Sequence, residues 1–126
     1  MTHVACVDGC PKGWIAIVLE VDACAATDDR IYEVHPEVSF TQMNGAPLAY
    51  TKKSWHGQAD RLRLLAVAGI TIPDDLGPVG SIPPDDIIDA AAAAWSAMRI
   101  ANGDAGCLGS PTHNAGPNPS AGQTWY

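Results

Sequence analysis

Three groups of side chains in this sequence have the types and spacing to do chemistry: Asp8, the trio Asp85, Asp86 and Asp89, and the run Glu33-Val34-His35-Pro36-Glu37. Asp8 ends an apolar run and precedes Gly9, which would set its carboxylate at a strand end. On a helix, Asp85 and Asp89 are four apart and Asp86 and Asp89 three apart, so either pair falls on one face. Carboxylates crowded without a basic neighbour repel, and a divalent cation offsets that; hard oxygen ligands suit Mg²⁺ or Mn²⁺. A plainer reading stands beside this one. Acids in a helix's first turn are favoured by the helix dipole without any function, and Asp-Gly is a common turn pair. The metal reading gains weight because the strand Asp and the helix D-x-x-D occur together. On a strand, Glu33 and His35 point to one face. They would bind metal or act as acid and base, or His35 would be merely structural or exposed.

These groups need elements to position them. Residues 3–8 read as a short buried strand, Gly9 to Gly13 as a tight turn, and residues 14–21 as a second strand antiparallel to the first. Residues 22–29 are a weakly patterned connection, and residues 30–35 read as a third strand. Pro36 then opens a helix with Glu37 in its first turn, ending at Asn44-Gly45. Residues 46–55 form a loop. Residues 57–68 read as an amphipathic helix with Leu62, Leu65 and Ala66 on one face. Residues 70–83 are a Pro-, Gly- and Asp-rich linker. The longest helix runs from Pro84 to Asn102, with acids in its first turn and Gly103 as its stop. Its stripe of Ile88, Ala91, Ala92, Trp95 and Met98 is a core face, not a cofactor site. The tail after Gly103 reads as a loose loop in which Trp125-Tyr126 docks at the end.

The chain of 126 residues, 47% apolar, suits one domain with a real core. Within it we expect an N-terminal hairpin over 1–21, a strand plus helices over 30–103, and a loose tail over 104–126. No stretch approaches the ~20 apolar residues of a membrane helix. The start lacks a basic segment followed by an apolar run, so no signal peptide and a cytoplasmic location are expected. Cys6, Cys10, Cys24 and Cys107 match no zinc spacing and read as reduced thiols packed as small hydrophobes. A net charge of −7 excludes nucleic-acid binding by bulk attraction. Lys52, Lys53, Arg61 and Arg63 lie close in sequence and offer either a local basic surface or a solvated helix face.

Val7-Asp8-Gly9-Cys10-Pro11-Lys12-Gly13-Trp14 resembles the V-D-G-C-x-G-G-W opening of domain-of-unknown-function family 429, the predicted RNase H-like nucleases. Tyr32-Glu33-Val34-His35-Pro36-Glu37-Val38-Ser39-Phe40 resembles that family's most distinctive motif. Met43-Asn44-Gly45, Lys52-Lys53 and Asp85-Asp86-Ile87-Ile88-Asp89-Ala90 follow in the family's order, and Gly122 to Tyr126 resembles its ending. The family carries further strands, a helix and an Asp-bearing strand where this chain has only residues 22–29. The resemblance therefore implies a truncated RNase H-like α/β fold, a small mixed sheet of about three strands with three helices. In it the third strand pairs parallel with the first, and one metal-binding carboxylate is missing.

The resemblance also implies a mechanism. Asp8 would bridge two metal ions, Mg²⁺ or Mn²⁺, and Asp86 and Asp89 would hold one of them. Water would be activated for phosphodiester hydrolysis. Lys52 and Lys53 would contact phosphates as point charges, with His35 and Glu37 beside them toward the substrate. Glu33 or Glu37 would stand in for the absent carboxylate. The expected function is thus a metal-dependent nuclease or phosphodiesterase acting on nucleic acid. The alternative is a non-catalytic remnant that binds or oligomerises, for example through an open sheet edge. A third reading is a chain that does not fold stably alone.

Overall fold

In a computed structural model the described residues are 2–10, 13–21, 31–109 and 123–126. Strand β1 (Thr2–Cys10) pairs antiparallel with β2 (Gly13–Val21), from Thr2 opposite Val21 to Cys10 opposite Gly13. Both strands run one or two residues beyond the expected limits. Gly13 leaves the turn at φ 139°, a conformation that suits glycine. Pro11 and Lys12 in that turn lie outside the described residues, as do the short connection at 22–29 with Cys24 and the tail residues 110–122.

The first strand was expected to be buried outright. Instead the hairpin is two-faced, as a pleated pair with one covered side must be. Cys6 and Ile15 are buried and Cys10, Ile17 and Leu19 partly so, all on one face. Ala5, Val7, Gly9, Trp14, Ala16 and Val18 are exposed on the other.

The inner face packs on α3 (Pro84–Asn102), the central helix of the molecule. Pro84 opens α3 and Gly103, at φ 78°, closes it in the left-handed conformation. Its core face was expected to be one stripe. In fact Ile87 to Ala94 are all buried. Ile87, Ala90, Ala93 and Ala94 meet the hairpin, while Ile88, Ala91 and Ala92 meet Phe40, Leu64 and Leu65 on the far side. A helix covered from both sides needs small side chains all round, and the alanine run supplies them.

The far side is built by α1 (Pro36–Asn44) and α2 (Trp55–Val67). A buried hydroxyl pair, Ser39 and Ser96 at 2.7 Å, joins α1 to α3. Helix α2 begins two residues earlier than expected because Ser54 caps it, its Oγ accepting from the Gly57 amide at 3.0 Å. Its buried face is Gly57, Arg61, Leu64 and Leu65. Leu62 and Ala66, expected inside, are exposed. The helix is turned so that Arg61, not Leu62, enters the interior, where it finds enough acceptors to be satisfied. The stretch expected as a plain linker contains a 3₁₀ turn at Gly77–Ser81, preceded by a hydrogen bond from the Gly77 amide to Asp75 Oδ1.

The largest departure concerns the third strand. Residues 31–35 do not join the hairpin, and Arg30 lies outside the described residues. Val34 forms one isolated parallel bridge with Trp125, whose amide donates to the Glu33 carbonyl at 3.0 Å. Trp125 belongs to β4 (Thr124–Trp125), which pairs antiparallel with β3 (Cys107–Leu108). Among the described residues the architecture is therefore a small α/β one, with three α-helices and two separate two-stranded antiparallel sheets. At Glu33 and Val34 the C-terminal strand stands where the expected parallel partner would have been. Among the described residues, no helix is long and apolar enough to cross a membrane.

Candidate functional site: a carboxylate pair at the hairpin–helix contact

Asp8 sits on the inner face of β1, two residues beyond Cys6 and facing the same way. Cys6 Sγ donates to the Ala90 carbonyl at 2.7 Å, which locates this stretch of strand against the N-terminal half of α3. Asp89 is the residue before that carbonyl. Asp8 and Asp89 come from opposite ends of the chain, and the Asp8 charge is among those acting on Asp89.

Asp89 is buried, its side chain 8% exposed. One oxygen, Oδ2, accepts from Lys52 Nζ at 2.5 Å, while Oδ1 is buried with no hydrogen-bond partner among the described residues. The carboxyl is pushed above its ordinary range, first by burial, with Lys52 opposing and the charges of Asp8 and Glu37 adding to the rise. Lys52 is also raised, chiefly by its hydrogen bond to Asp89, with Asp85 and Glu37 contributing. The two directions look contradictory, since a favourable pair should lower the acid. They are consistent once desolvation is counted: the pair attracts, but on the Asp89 side burial outweighs that attraction.

Glu37 lies within electrostatic reach of both groups, yet its own oxygens are taken. Arg61 Nε donates to Oε1 at 3.1 Å and Nη2 to Oε2 at 2.7 Å. Arg61 is 2% exposed, lies over the Phe40 ring and donates to the carbonyls of Tyr50 and Gly57. It ties down the segment that leads to Lys52. Glu37 as a stand-in metal ligand therefore finds no support, because its carboxylate is an arginine's partner.

Asp86 and Asp85 lie one turn before Asp89. They line a cleft of ≈ 540 Å³ with Gly9, Cys10, Gly13, Trp14, Lys53 and Pro83. Lys52 and Lys53 thus part ways, one bound to Asp89 and the other exposed at the cleft. Glu33 and His35 are exposed, and neither charge is among those acting on Asp89 or Lys52. The His35 carbonyl instead accepts from the amides of Val38 and Ser39 in the first turn of α1. Among the described residues, no three His, Cys, Asp or Glu side chains converge as a metal-holding group. Burial pushes the Cys6 thiol up to about 11, so it stays protonated and unreactive.

Sequence reasoning placed Arg61 on a basic surface or solvated helix face, whereas it is buried, and gave Trp14 no site role. The sign of Arg61 was available: it stands three and four positions before Leu64 and Leu65, so a charged side chain shares their apolar face. Trp14 was read as a strand residue and as the end of the family-like opening motif, without a role of its own.

A family model described as "Protein of unknown function (DUF429)" matches residues 18–114. That span holds Glu37, Lys52, Arg61 and Asp89, and begins after Asp8. No curated protein and no solved structure matches the chain.

Proposed function

Since the chain belongs to the DUF429 family, we propose that it is a metal-dependent phosphodiesterase of RNase H-like type, acting on nucleic acid through Asp8 and Asp89. The observation that carries this reading is Asp89 Oδ1, a buried carboxylate oxygen without a hydrogen-bond partner among the described residues, on which the Asp8 charge also acts. Leaving such an atom unsatisfied is costly, and a cation supplies what the protein omits.

The donor set fits one Mg²⁺ or Mn²⁺ held by Asp8 and Asp89. Magnesium is commonly bound by one or two carboxylates, with water and substrate phosphate completing its shell. The described carboxylates do not supply the cage of a two-metal centre, so the reading takes one ion. When bound, that ion would polarise the phosphoryl group and lower the pKa of a bound water. Lys52 holds the other Asp89 oxygen, fixing the carboxylate's orientation and offsetting charge that Asp8 and Glu37 would otherwise raise. Lys53, exposed at the cleft, contacts substrate phosphate as a point charge. Asp86 lines the same cleft as Lys53 and would hold water of the ion's outer shell. The free thiols of Cys6, Cys10 and Cys107 support a reducing, cytoplasmic setting.

The test is Asp8→Asn with Mn²⁺ titrated by calorimetry alongside an oligonucleotide cleavage assay. The wild type should bind one ion and cleave only with it, and the variant should lose both. Heat of binding that is unchanged in Asp8→Asn would remove the proposal.

A second reading, a non-catalytic oligomerising module, is favoured by one feature. The hairpin is nine residues long in each strand, paired without a bulge, and neither strand carries Lys, Arg or Pro. Such edges lack the usual protection against pairing with another chain. Sedimentation equilibrium should then show a concentration-dependent dimer; a monomer at every concentration would count against it.

A further inference from the structure

The hairpin end nearest Asp8 carries an aromatic side chain that the reading above does not use. Trp14 is 77% exposed although it is the largest residue of β2. It pairs with Gly9, the neighbour of Asp8. A Cβ placed on Gly9 would meet Trp14 Cζ3 at 3.7 Å and Cε3 at 4.0 Å. The indole thus stands over the Gly9 side of β1, at a distance that an added Cβ would only just fill. Most of the ring's surface is in water. The same residue lines the cleft shared by Lys53, Asp85 and Asp86.

We propose that Trp14 is a stacking platform for an unpaired nucleobase, so that the substrate class is single-stranded nucleic acid. This rests on the phosphodiesterase reading of Asp8 and Asp89. An exposed aromatic face and a lysine in one cleft are the two elements by which proteins hold single strands. The ring takes the base and the cation the phosphate. Bases inside a duplex are already stacked on one another and have no free face to offer, so the platform selects against duplex. The acidic chain gives no general attraction to nucleic acid, which leaves affinity dependent on such local contacts.

The test compares wild type with Trp14→Ala and Trp14→Phe. Fluorescence anisotropy in Mg²⁺ follows a short fluorescein-labelled oligothymidylate and a duplex of equal length, with strand integrity checked on a gel. Because Trp14 is largely exposed, both variants should keep the wild-type cooperative melt. We expect Trp14→Ala to weaken single-strand binding by roughly tenfold or more. Trp14→Phe should stay within about threefold, and duplex binding should not change. Equal loss for single strand and duplex would overturn the proposal, as would unchanged single-strand affinity in Trp14→Ala. A change in sedimentation without a change in affinity would also overturn it, assigning the ring to contact between copies. Trp14-dependent binding of an oligonucleotide that stays intact in the wild type would refute hydrolysis and leave stacking standing. Cleavage at wild-type rate and affinity in Trp14→Ala would do the reverse.

Discussion

Asp89→Asn should abolish Mg²⁺-dependent hydrolysis while leaving the protein about as stable at neutral pH as before, or more so. The two halves of this expectation come from the same carboxylate. As a ligand, Asp89 supplies charge where the phosphoryl group reacts, and removing one such group should cost about a thousandfold in turnover. As a structural element, it is a desolvated anion whose burial outweighs the attraction of Lys52. The amide keeps the shape and an acceptor for Lys52 but removes the buried charge. Lys52 itself, 37% exposed in its side chain, can be hydrated when its partner is neutral.

The pH dependence gives this expectation a sign. The folded-state pKa of Asp89 is raised, so the native state holds its proton more tightly than the unfolded chain does. Its favourable contribution is complete below the ordinary carboxylate pKa of about 4. It is lost as pH rises through the higher, folded value. Urea unfolding across that window should show stability falling with pH in the wild type more than in Asp89→Asn. Lys52 moves in the alkaline range: its raised pKa means that its contribution persists to high pH and is lost only above its ordinary value. A variant that melts far below the wild type would mean that Asp89 is a structural ion-pair partner first, and the ligand role would lose its main support.

What could be read from the residues alone divides along physical lines. The hairpin was legible because its turn chemistry and β-branched runs are local. Helix α3 was legible because Pro84, the two acids after it and Gly103 mark its ends independently of what it touches. The family resemblance links Asp8 with Asp89, and the Asp8 charge is among those that raise the Asp89 carboxyl. Three things were not legible. The partner of the backbone at Glu33 is Trp125, chosen by tertiary docking of the C-terminal strand and not by β-propensity at 30–35. The ion pair between Lys52 and Asp89 joins a loop to a helix interior, and no spacing rule connects those positions. The rotation of α2 follows from Arg61 finding acceptors inside, which a pattern of apolar residues cannot express. In each case the deciding term is a contact between distant segments.

The second large effect belongs to that arginine. Arg61→Met keeps the length and most of the volume of the side chain but removes every donor. Glu37 then loses both hydrogen bonds and the Tyr50 carbonyl loses one. Glu37 is 42% exposed in its side chain, so water recovers part of that loss. The remainder, with the attraction over the Phe40 ring, should still cost about 3 kcal/mol, a fall of roughly 10 °C in Tm for a domain of this size. Arg61→Lys should fall between, since an ammonium cannot bind the carboxylate with two parallel bonds. The same junction makes Gly57→Ala a test of opposite intuition. Alanine favours helix over glycine by about 1 kcal/mol. At this position, however, the added Cβ would stand 1.8 Å from the Thr51 carbonyl oxygen, and both are held by backbone. The helix would have to back away from the turn that carries Lys52. Gly57→Ala should therefore lower Tm instead of raising it, and weaken Mg²⁺-dependent activity through Lys52 without touching either carboxylate. A thermal melt decides both points: an Arg61→Met protein within about 1 kcal/mol of wild type, or a Gly57→Ala protein more stable than wild type, would mean that the turn adapts freely and that Arg61 does not position it.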